Sequence, residues 1–154
     1  MEGLLLAIAL FVVVMMPSSK DRAKEGMYST YYGKGKILSE RHYKAGKLEG
    51  VYKTYYEDGK AMSEFVYLDG KREGVAKLFY RSGNLYSETT FENGIQNGIK
   101  KIYFDSKARQ AQYIDTYKNG QAINRKEYDE DGKLKTNKNF KYIHTKKHTI
   151  RPRH

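Results

Sequence analysis

At 154 residues, with 39% apolar and 31% charged residues, the chain has room for one domain, and its core must be shallow or repeated. It has no cysteine, which excludes disulfides, thiolate metal sites, a cysteine nucleophile and cysteine lipidation. The net charge of +11 is not spread as in a nucleic-acid binder: eight of the 29 Lys and Arg lie from Lys133 onward with no Asp or Glu among them, leaving 21 basic against 18 acidic groups elsewhere.

The first element is Gly3 to Met16 (GLLLAIALFVVVMM), uncharged and apolar, closed by Pro17-Ser18-Ser19 and a charged run from Lys20 to Lys24. As a helix it would reach about 21 Å, short of the roughly 30 Å hydrocarbon slab. Its length fits the h-region of a secretory signal, although Glu2 precedes it and no small-x-small cleavage site follows. Residues 1–19 are therefore expected to be a signal-like or anchor segment, and 20–25 a charged linker. The expected location is the cell envelope, membrane-anchored or exported, with Lys20, Arg22 and Lys24 on the cytoplasmic side of any anchor. If the segment does not work as a signal, the location is cytoplasmic. A buried first strand or helix is the remaining alternative.

From residue 26 a ruler runs through the chain. Gly26, Gly50, Gly74 and Gly98 recur every 24 residues, opening units 26–49, 50–73, 74–97 and 98–123, the last two residues longer than the others. Aligned positions repeat in kind. An aromatic pair stands at 31/32, 55/56, 79/80 and 103/104, a turn glycine at 35, 59 and 83, and Ser-Glu at 39/40, 63/64 and 87/88. An aromatic follows at 43, 67, 91 and 117, then a second glycine at 46, 70, 94 and 120. Tyr128 to Leu134 echoes Tyr56 to Lys60 as a partial fifth unit.

Each unit holds two short runs rich in aromatic and β-branched residues, such as Val51 to Tyr56, closed by turns such as Asp58-Gly59 and Asn93-Gly94. Gly35, Gly46, Gly59, Gly70, Gly83, Gly94 and Gly120 are the structural turn residues, because tight hairpins need positive φ. Two strands per unit follow. The expected fold is all-β, a repetitive antiparallel β-hairpin meander of eight or nine strands over 26–134, with 135–154 a basic, flexible tail. Ser106 to Tyr117 is open to a helix, since Lys107 to Ala111 favour one and Ser106 can cap it.

The pattern G-x-x-x-x-Tyr-Tyr-x-x-Gly-Lys-x-x-Ser-Glu-x-x-Tyr-x-x-Gly-Lys resembles the MORN repeat variant of many bacterial proteins, including those grouped as YwqK-type antitoxins. The resemblance implies a sheet of β-hairpins, a binding rather than catalytic role and, for the antitoxin-labelled members, a protein partner. The fourth unit departs from the pattern: Lys107 replaces the turn glycine and Ser-Glu is lost.

Candidate chemistry is thin. Glu40, Glu64 and Glu88 form a ladder along the sheet, better suited to cross-strand pairing with Lys than to acid–base catalysis. Ser39, Ser63 and Ser87 share that period, with no recurring His to activate them. His42 stands alone on a strand. His144, His148 and His154 lie among cations with no carboxylate, so no metal site is expected, nor any catalytic residue or cofactor. Tyr32, Tyr56 and Tyr80 are the candidate partner-binding anchors. The expected function is a non-catalytic protein–protein interaction module with a partner of unknown identity, possible membrane association through residues 3–16, and no nucleic-acid role. The alternative is a peripheral module for anionic lipid, using the apolar leader together with the basic tail.

Overall fold

The computed structural model describes residues 23–142. The leader, residues 20–22 of the linker and the three tail histidines lie outside the described residues. Twelve strands form one antiparallel sheet: β1 (Gly26–Tyr31), β2 (Ile37–Lys44), β3 (Lys47–Leu48), β4 (Gly50–Tyr55), β5 (Ala61–Leu68), β6 (Lys71–Arg72), β7 (Gly74–Phe79), β8 (Leu85–Glu92), β9 (Ile95–Tyr103), β10 (Ala111–Lys118), β11 (Gln121–Tyr128) and β12 (Leu134–Asn139). Ten of them pair in sequential order, while the two-residue β3 and β6 attach to β2 and β5. The fold is the expected all-β meander, with more strands than the eight or nine anticipated.

Two of the differences have a local cause. β12 occupies Leu134–Asn139, in the stretch assigned to the flexible tail, because the turn at Asp129 closes as it does in earlier units: Asp129 N–H donates to the Lys133 carbonyl at 3.0 Å, matching Tyr56 to Lys60 at 2.8 Å. The fifth unit is therefore a complete hairpin. The segment open to a helix is strand β10, preceded by a loop in which Arg109 has φ +53°. Its register with β9, Asp115 opposite Lys100 and Tyr117 opposite Gly98, ties it to the sheet and overrides local helix propensity.

The ruler glycines stand directly opposite the recurring aromatics: Gly26 faces Tyr43, Gly50 faces Tyr67, Gly74 faces Phe91 and Gly98 faces Tyr117. At Gly26, Gly50 and Gly74 a Cβ would meet nothing within 4 Å, so space does not demand glycine. Their φ values of +88°, +76° and +71° do, since each marks a kink where an L side chain is strained.

The hairpin tips use two consecutive positive-φ residues, the arrangement that matches strand twist. These are Asp69-Gly70, Asn93-Gly94 and Asn119-Gly120, with Ala45-Gly46 as the variant lacking a polar first residue. The seven glycines assigned to turns, from Gly35 to Gly120, all have positive φ.

Among the described residues the buried apolar side chains are Ala76, Leu85 and Tyr103, joined by Ser39, Ser63, Ser87 and Asp115. So thin a core cannot hold the sheet together through one hydrophobic centre. Cohesion comes from contacts repeated between neighbouring units.

Candidate functional site

Residues directly opposite one another on paired strands share a face of the sheet. One row on one face runs Glu40, Lys53, Glu64, Lys77, Glu88, Lys101 across six strands, alternating in sign. Opposite charges directly across a strand pair attract, so the row supports the register, and Lys53 closes to 3.1 Å on Glu64. The glutamate ladder is thus structural pairing.

Tyrosine hydroxyls add to it. Tyr55 donates to Glu40 at 2.6 Å and Tyr103 to Glu88 at 2.7 Å. Phe79 occupies the intervening position and has no hydroxyl to give Glu64. The Glu40 carboxylate, followed by burial, pushes the Tyr55 phenol up to about 12. For Tyr103, burial comes first and Glu88 second, also to about 12.

Apolar side chains flank this charged row on the same face. Met27, Val51, Val66, Val75 and Ile99 are 66, 48, 39, 44 and 40% exposed, with Leu68 also outward. On the other flank Tyr31 stands opposite Ile37, Tyr55 opposite Ala61 and Phe79 opposite Leu85. Between the first two units the face dips into an open groove of about 420 Å³ lined by Lys36, Ile37, Glu40, Tyr55, Asp58 and Gly59.

The opposite face carries the serine row and most of the aromatics. Ser39 shares a 2.6 Å hydrogen bond with Thr30, and Ser63 does so with Thr54. Arg72 lies over Phe65 and Phe91 at 4.7 and 5.3 Å, and Tyr52 contacts Phe65 and Tyr67.

The three candidate anchors, Tyr32, Tyr56 and Tyr80, are half-buried and repeat one contact. Tyr32 donates to the Tyr55 carbonyl at 2.7 Å, Tyr56 to the Phe79 carbonyl at 2.7 Å and Tyr80 to the Tyr103 carbonyl at 2.8 Å. Each hydroxyl is therefore committed to the next unit's main chain. These tyrosines join units, and the side chains free to meet a partner are their neighbours on the charged face.

A second repeating joint was not anticipated. Glu25, Glu49 and Glu73 each precede a ruler glycine and accept from the turn amides of Ala45, Asp69 and Asn93 at 2.7, 2.9 and 2.8 Å. The turn glycines Gly46, Gly70, Gly94 and Gly120 donate to the carbonyls of Lys24, Leu48, Arg72 and Gln96 at 2.8–2.9 Å. The sequence signal was Glu before glycine, three times on the 24-residue step. The pairing of buried Asp115 with Arg125, at 2.7 and 2.8 Å through both carboxylate oxygens, left no such signal.

The profile of the MORN repeat variant matches residues 24–45, 48–69, 72–93 and 124–142, more than half of the chain. The chain belongs to the MORN repeat variant family. The match passes over the fourth unit, where Phe104 replaces the joining tyrosine and the loop is two residues longer, Phe104 N–H reaching the Gln110 carbonyl at 3.0 Å. This MORN array nevertheless keeps its sheet unbroken through that unit.

A search of curated proteins returns no match. Among solved structures the chain is similar to a stretch of a mutant S. aureus TarM in complex with fondaparinux, alpha-GlcNAc-glycerol and UDP. The identity is 10% and the TM-score 0.43, over 78% of this chain and 20% of that one. This chain thus spans about a fifth of that protein's length.

No group of three or more His, Cys, Asp or Glu among the described residues is placed to hold a metal ion, and no described helix is long and apolar enough to cross a membrane. His42 stands opposite Met27 on the charged face.

Proposed function

We propose that this MORN protein is a non-catalytic docking module whose partner is another protein, laid across the face that carries the Glu–Lys row. The observation behind this reading is the exposed apolar side chains, Met27, Val51, Val66, Leu68, Val75 and Ile99, beside that row. An aliphatic surface with fixed, alternating charges offers area to desolvate and a register for a partner's own charges. Its narrower form, suggested by the resemblance to antitoxin-labelled members, makes that partner a toxin polypeptide held inactive by burial.

The test is affinity recovery with the full chain from its native host. The native chain and a variant of the aromatic face, Thr89→Lys, are expected to retain the same stoichiometric protein, while Val66→Lys combined with Val75→Lys loses it with the thermal transition unchanged. Retention by the double variant, or recovery of no stoichiometric partner by the native chain, refutes the proposal.

A further inference from the structure

The two outer strands of the sheet differ in chemistry. An outer strand presents unpaired N–H and C=O groups, and charged side chains on it discourage a second strand from adding. β12 carries Lys135 and Lys138 in its six residues, and its Asn137 and Asn139 side chains are held by Asn124 at 2.7 and 2.8 Å. β1, of equal length, reads GMYSTY and has neither charge nor proline. Among the described residues it pairs only with β2. Two of its side chains, Met27 and Tyr31, are 66% and 58% exposed, among the most open large apolar groups of the domain.

A strand of this composition suits a copy of itself. When two identical strands pair antiparallel about a two-fold axis, one residue must face itself, because only residues on the same face can stand opposite one another. Centring on Ser29 or on Tyr28 overlaps five residues of β1 with its copy, and Ser29 is the centre that leaves the kinked Gly26, at φ +88°, outside the pair. Met27 then meets Tyr31, thioether against ring, on one face, and the large Tyr28 meets the small Thr30 on the other. No like charges are opposed within the strand. We infer that β1 is a self-pairing edge, through which two copies of this chain join antiparallel, Ser29 against Ser29, into one continuous sheet. The pairing uses main-chain groups of β1 and stands independently of the docking face, although it would carry the apolar and charged rows from one copy into the next.

The chain has no cysteine, so Ser29→Cys introduces a single thiol, exposed on β1. In the full chain held in mild detergent, gentle oxidation is expected to convert this variant to a disulfide-linked dimer. Lys138→Cys, on the opposite outer strand, is expected to stay monomeric. Equal cross-linking of the two would mean association through some other part of the chain and would overturn the inference, as would no cross-linking of either.

A second pair of variants, in the Ser29→Cys background, checks the register. Met27→Lys with Tyr31→Lys sets like charges opposite one another across the axis, and the dimer should be lost with the thermal transition retained. Met27→Glu with Tyr31→Lys should restore it, since the new carboxylate at 27 faces the new ammonium at 31 of the other copy. Within one chain those positions lie about 13 Å apart along the strand, too far to pair. A dimer that survives the two lysines, or that the Glu–Lys pair fails to restore, contradicts the proposed register.

Discussion

Between the first four units one recurring joint is a neutral hydrogen bond, a tyrosine hydroxyl on the next unit's carbonyl at 2.7–2.8 Å. Between the fourth unit and the fifth it is an ion pair, with the Asp115 carboxylate 1% exposed and forked onto Arg125. The second joint changes in the opposite sense and one unit earlier, from carboxylate caps to the neutral Asn97 between the third and fourth units. Glu25, Glu49 and Glu73 cap their turns at 2.7–2.9 Å, whereas Asn97 reaches Asn119 at only 3.4 Å. One sheet geometry is thus held by two chemistries. The frame belongs to the backbone, and side chains at the joints can be exchanged as long as each buried polar group keeps a partner.

The two extra residues of the fourth unit show how the frame survives. They fall in the 104–110 loop, where Asp105 accepts from Ser82 at 2.5 Å and Asn84 at 2.8 Å and so is tied to the preceding loop. Those hydrogen bonds, Ser82 first, hold the Asp105 carboxyl below its ordinary range. The insertion is absorbed outside the strands: the register shift between Ala111 and Tyr113 is the one that the other units also have, as between Thr54 and Tyr55 or Leu78 and Phe79.

The largest test of this contrast is Arg125→Leu. It strands a buried carboxylate, so it should cost about 3 kcal/mol, read by urea unfolding, with β10 to β12 losing amide protection first. A loss confined to a few tenths would mean that the ion pair is not the fourth joint. The neutral joints should be individually weaker: Tyr32→Phe, Tyr56→Phe and Tyr80→Phe should each cost about 1 kcal/mol, and nearly additively, because each acts on its own interface.

Alkaline titration separates the tyrosines further. Tyr55 and Tyr103 ionise near 12 in the folded chain against 10.0 unperturbed. A raised folded value means that their contribution to stability is whole below pH 10 and lost as pH climbs through about 12. Tyrosinate absorbance should show late phenols, one removed by Tyr55→Phe and another by Tyr103→Phe, with Tyr80 also pushed up by burial. Early, uniform ionisation of all the tyrosines would show that Glu40 and Glu88 do not hold them. The smallest effect expected is Ala45→Asn. Ala45 sits at φ +48° where the other tips carry Asp or Asn, so relief of strain should raise stability by about 0.5–1 kcal/mol. A decrease would mean that Ala45 is held there by something other than turn geometry.

Periodicity made the meander, its turn glycines and the Glu–Lys pairing legible in advance, because these depend on residue type and step alone. The anchors were read less completely. That Tyr32, Tyr56 and Tyr80 recur was plain, but a recurring tyrosine looks the same whether its hydroxyl faces solvent or a neighbour's carbonyl. β12 was missed because its lysines read as tail composition, and only pairing with β11 makes them a strand.

By itself the sequence determined the repeat, its 24-residue length and the places where the chain must turn, since positive-φ glycines and alternating strands are local properties. The tertiary structure alone decided which side chains join units and which remain open. That choice depends on twist, register and the bulges beside Tyr31, Tyr55 and Phe79, which set neighbouring units at distances no spacing rule supplies.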